Sequence, residues 1–110
     1  MFFRKKIKAD LAFNGQAMAQ AFVQVAIMLY REVGQPDGSS DVVATVNFDE
    51  DLKVSSVDNF LLNGLPKVPS PEVIEAINQN LAILAAPVEY RPKALSIEVK
   101  NGEVNTTPAY

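Results

Sequence analysis

The chain has 110 residues, of which 48% are hydrophobic and 21% charged, with a formal net charge of −3. This size and balance predict a single α+β domain with one core over residues 1–110 and exclude a disordered chain. It has no cysteine and no histidine, which removes disulfides, thiolate metal sites and cysteine nucleophiles, together with the commonest general base and metal ligand.

The start, Met1-Phe-Phe-Arg-Lys-Lys-Ile-Lys8, has the charge of a secretory leader but is followed by Asp10, Asn14, Gly15 and Gln16 rather than an apolar run. Residues 11–30 carry no charge, yet Asn14, Gly15, Gln16, Gln20 and Gln24 interrupt them. No membrane span is expected, since a spanning helix needs about 20 predominantly apolar residues. The expected compartment is the cytoplasm, or a virion for a viral gene.

Ile7, Ala9, Leu11 and Phe13 alternate with Lys8, Asp10, Ala12 and Asn14, which predicts a first strand ending at Asn14-Gly15. Gln16–Val33 reads as a helix, with Gly34 as its left-handed terminator. The loop 35–41 is dense in turn formers. Val42–Phe48 alternates as a strand, Asp49-Glu50-Asp51 is a turn, and Leu52–Phe60 is a second strand. The inward parity of that second strand shifts at Ser55-Ser56, which predicts a bulge. Residues 61–69 form a proline-punctuated connection.

Ser70 and Pro71 open a second helix as N-cap and first residue, with Val73, Ile74, Ile77, Leu81 and Leu84 on one stripe and Pro87 as its stop. Leu95, Ile97 and Val99 mark another strand, and Asn101-Gly102 is a hairpin turn that sets Lys100 opposite Glu103. The last strand is expected from Glu103 to about Thr107. The order β-α-β-β-α-β-β predicts a ferredoxin-like (split βαβ) antiparallel sheet with two helices on one face and a C-terminal hairpin.

The acidic trio Asp49, Glu50 and Asp51 lacks the ligand spacing, glycine and terminal glutamate of a calcium loop and reads as a solvated turn. Glu72 and Glu75 fall on the polar face of the second helix. No phosphate loop, nucleophile elbow or metal-ligand spacing is present. With no histidine or cysteine either, the expectation is a protein that is not an enzyme and carries no cofactor.

Arg4, Lys5, Lys6 and Lys8 hold four of the ten positive charges, while residues 9–110 hold six basic groups against thirteen acidic ones. These four residues are candidate anion-binding groups, or they guard an edge strand against aggregation. The acidic chain favours the second reading and makes nucleic acid an unexpected partner. Ferredoxin-like RNA binders stack bases on aromatic residues of the central strands, whereas here Phe13 and Phe60 stand without that pattern.

The stretch Val46-Asn-Phe-Asp-Glu-Asp-Leu-Lys-Val-Ser-Ser-Val57, followed by Ser70-Pro-Glu-Val-Ile-Glu-Ala-Ile77, resembles the C-terminal domains of TonB-type energy transducers. Leu52 stands where that family carries a turn glycine, and no anchor or proline spacer precedes the stretch in these residues. No function is carried over from it.

The most informative segment is the helix 16–33. Gln16, Gln20, Gln24 and Arg31 crowd into a sector about 80° wide, and nearly everything else is apolar. A surface helix on a sheet needs an apolar stripe of only a little over 100°, so this one must be covered on a second side. Either the second helix and residues 61–69 cover it, or another chain does. The favoured reading is a non-enzymatic protein-interaction or self-assembly module, with Val23, Ile27 and Tyr30 as an interface ridge and a protein partner or homo-oligomer as its complement. The alternatives are a small-ligand-binding regulatory domain and a basic-tailed binder of nucleic acid or anionic surfaces.

Overall fold

The computed structural model describes residues 2–110, and side chains from Gln16 onward. In chain order, α1 spans Phe2–Val33, β1 Val42–Phe48, β2 Val54–Leu62, β3 Leu65–Pro66 and α2 Pro71–Ala82. A 3₁₀ turn at Val88–Tyr90 precedes β4 (Ala94–Lys100) and β5 (Glu103–Ala109). The strands form one antiparallel sheet in the order β3-β2-β1-β4-β5.

Residues 7–14 are not a strand; they belong to α1, a helix of 32 residues and so about 48 Å long. Half of the residues in Ile7–Asn14 are alanine, leucine or lysine, all good helix formers. Gly15 inside the helix costs only about 1 kcal/mol. No place remains beside the central strands either, since β1 is flanked by β2 and β4, and β4 by β5. The edge-strand role of Arg4, Lys5, Lys6 and Lys8 falls with the strand. The class is α+β with two helices over an antiparallel sheet, but the strand order is not clearly that of a ferredoxin-like split βαβ unit.

Both helices cover the same face. Met18, Phe22, Val25 and Leu29 of α1 and Ile77 and Leu81 of α2 join one core with the inward residues of the central strands, Val42, Ala44, Val46, Leu95, Ile97 and Val99. Ser70 caps α2, its Oγ accepting from the Val73 N–H at 3.2 Å. Its own N–H donates to both carboxylate oxygens of Glu32 at 3.2 Å. The end of α1 is thereby tied to the start of α2.

Strand β2 carries two bulges. Ser55 is the extra residue between the pairs Phe48↔Val54 and Asn47↔Ser56, at the predicted place. A second lies at Asn59-Phe60, where Asn59 takes a φ of 52°. Each shifts the inward parity by one, so that Val54, Val57 and Phe60, spaced by three, all reach the core side.

The C-terminal hairpin turns at Asn101 (φ 53°) and Gly102 (φ 77°), with Lys100 opposite Glu103 as expected. The Ala109 carbonyl accepts from the Lys93 N–H at 2.7 Å. The backbone of Pro108 therefore faces the open edge, where a missing N–H costs no ladder bond.

Candidate functional site

Helix α1 meets the rest of the molecule through Met18, Ala21, Phe22, Val25, Ala26 and Leu29, all buried. Val23 and Ile27 lie on the side turned away from this arc and are half-buried, whereas Tyr30, also half-buried, packs against the core. Residues 63–68 are exposed, Val68 at 87%, so the connection after β2 does not cover the ridge. The flanks of α1 are instead met by α2 on one side and the β4–β5 hairpin on the other. Two concavities result, and the three ridge residues divide between them.

The first is a trough of about 520 Å³ between α1 and the end of α2. Ala17, Ala19, Ala21 and Val23 line one wall, Ile83 and Leu84 the other, and Gln20, Gln24 and Asn80 supply amide groups. Ile83 is 81% exposed, a branched apolar side chain left in water where the helix ends. The sequence did not single out Ile83, because it lies off the buried stripe of α2. Its adjacency to α1 is a tertiary fact.

The second is a pocket of about 430 Å³ between the end of α1, the loop 34–38 and the β4–β5 hairpin. Ile27, Tyr30, Val99 and Val104 form apolar walls, Arg31 stands among them, and Gly34, Gly38 and Gly102 contribute bare backbone. Tyr30 folds back over the loop: its hydroxyl donates to the Gln35 carbonyl at 2.6 Å and accepts from the Ser40 N–H at 3.4 Å. The Ser40 hydroxyl, nearly fully buried, accepts from the Gln35 N–H at 2.9 Å. Tyr30 thus anchors its own chain as well as bordering a cavity.

The loop beside this pocket carries Asp37, whose carboxyl is held below the ordinary carboxylate range by hydrogen bonds from Ser39, side chain first and backbone second. The backbone bond is 2.9 Å long.

The acidic trio of the β1–β2 turn and the two glutamates of α2 have local or solvent-facing surroundings. Asp49 Oδ1 accepts from the N–H groups of Asp51 and Lys53 at 2.9 and 3.0 Å, so the trio builds the β1–β2 turn. Glu72 and Glu75 are exposed on α2, and Glu75 accepts from the Gln79 amide at 3.4 Å. Among the described residues no group of three or more carboxylates is placed to hold a metal ion. Nor is any helix among them long and apolar enough to cross a membrane. Arg4, Lys5, Lys6 and Lys8 belong to the first turns of α1, and their side chains lie outside the described residues.

Leu52 takes a left-handed φ of 60° in the turn before β2. This is the position at which the resemblance to TonB-type domains places a glycine. In comparison with known proteins, however, no family model matches the chain, and no curated protein or solved structure matches it either.

Proposed function

We propose that this protein is a non-enzymatic interaction module that associates with a protein partner or a second copy of itself through the outward side of α1 and the trough beside α2. The observation that carries the reading is Ile83, exposed beside Val23 and the alanines of α1 across an apolar concavity. An apolar surface rimmed by amide groups, as here by Gln20, Gln24 and Asn80, suits a partner's aliphatic side chain. Ile27, one turn further along α1, borders the second pocket rather than this trough.

The test is the native mass of the wild type beside Val23→Asp and Ile83→Asp, both in the trough. Each places a charge in an apolar contact, at a cost of several kcal/mol when it can be neither paired nor hydrated. Both variants are expected to lose the association while keeping the helix and strand signals of circular dichroism. A wild type that stays monomeric at high concentration and recovers no partner by pull-down overturns the reading.

A further inference from the structure

We propose that the pocket between the end of α1 and the β4–β5 hairpin binds a small monocarboxylate with an apolar body. The proposal is separate from the association described above and rests on a different concavity. Its volume, about 430 Å³, falls in the range of small-molecule sites, which are mostly apolar with few polar groups. The floor is the aliphatic surface of Ile27, Val99 and Val104.

The pocket is kept open by residues without side chains. Three of the chain's five glycines border it. A β-carbon at Gly102 would meet nothing within 4 Å, and one at Gly38 would meet only the Gly102 α-carbon at 3.7 Å. Both glycines have left-handed backbones, φ 80° at Gly38 and 77° at Gly102, so their turns hold the rim bare whatever the pocket contains.

Charge selects the ligand class. Among the described residues lining the pocket, Arg31 alone is charged. The nearby Asp37 stays ionised, held so by Ser39, but is not among the residues lining the pocket, and Glu103 alternates with the inward Val104 and so projects from the opposite face of the sheet. The Tyr30 hydroxyl already donates and accepts within the chain, so its ring rather than its oxygen is offered to a ligand. An apolar body against Ile27, Val99 and Val104, with one carboxylate on the Arg31 guanidinium, matches every group present.

The experiment is a titration of the 110-residue chain with 3-phenylpropanoate, followed by backbone amide resonances, with 3-phenylpropanamide as the uncharged control. Saturable shifts are expected at Gly34, Gly38 and Gly102, with the amide binding about tenfold more weakly. Arg31→Gln, at an exposed helix position, should remove that difference. Val104→Phe should fill the cavity and abolish the saturable shifts, and its melting temperature shows whether the fold is kept. Equal binding of acid and amide overturns the proposal. So does the absence of saturable shifts at millimolar concentrations, or shifts centred elsewhere on the surface.

Discussion

The ring of Tyr30 lies so close over Gly34 that a β-carbon at residue 34 would sit 2.8 Å from its ring atoms. Gly34 follows α1 directly, yet its φ is not left-handed. Glycine stands there for the closeness of the ring, not to turn the chain. Replacing glycine by alanine at an accessible φ ordinarily stabilises by about 0.4–1 kcal/mol. Here Gly34→Ala is expected to destabilise by about 1–3 kcal/mol, as overpacking does, because the ring must leave its hydrogen bond to Gln35. Urea unfolding measures this, and a variant more stable than the wild type would refute it.

Leu52 sets two effects against each other. Its left-handed backbone costs roughly 1–2 kcal/mol, while its side chain is 5% exposed and part of the core. Truncating a buried leucine costs about 2–5 kcal/mol, so burial prevails and the leucine is kept. Leu52→Gly should therefore destabilise, but by less than Leu52→Ala, since glycine relieves the strain and alanine does not. This ordering reverses the usual one, and equilibrium unfolding of the pair decides it.

The C-terminal hairpin isolates backbone strain from packing. A β-carbon at Gly102 meets open space, yet φ there is 77°. Gly102→Val should lower stability by about 1–2 kcal/mol through the backbone alone. Gly102→Asn should lose less, because asparagine tolerates the left-handed region. An unchanged melting temperature for the valine variant would contradict the turn geometry.

Arg91 joins two segments that no strand ladder connects. Its Nε donates to the Ala86 carbonyl and its Nη1 to the Glu50 carbonyl, each at 2.8 Å, so it ties the segment before β4 to the β1–β2 turn. Lysine has one nitrogen and no fork, and cannot make both bonds in this geometry. Arg91→Lys is expected to cost about 1–3 kcal/mol, the range for losing a hydrogen bond from a charged donor. Faster amide exchange at Leu52 and Lys53 should accompany it. Unchanged stability and exchange would show that the two bonds contribute nothing.

What was legible in the sequence was set mostly by local chemistry. The alternation in Val42–Phe48 marked β1 to the residue, because a strand buried on one face repeats with a period of two. Ser70-Pro71 marked the start of α2 through capping, Asn101-Gly102 fixed the register of the final hairpin, and the break in parity at Ser55 revealed its bulge. The excess apolar width of α1 was also legible, since it depends only on the helical period.

The tertiary structure alone decided the rest. Ile7–Asn14 satisfies both a strand and a helix pattern, and the continuity of α1, with both sides of β1 and β4 occupied, settles it as helix. What flanks the wide face of α1 is likewise non-local. α2 and the β4–β5 hairpin, far along the chain, flank it, and residues 63–68 do not cover it. The trough at Ile83 and the pocket bordered by Gly34, Gly38 and Gly102 exist only where these distant segments meet. No single stretch of sequence contains either one, because a concavity is made by the spacing between elements and not by the residues of any one of them.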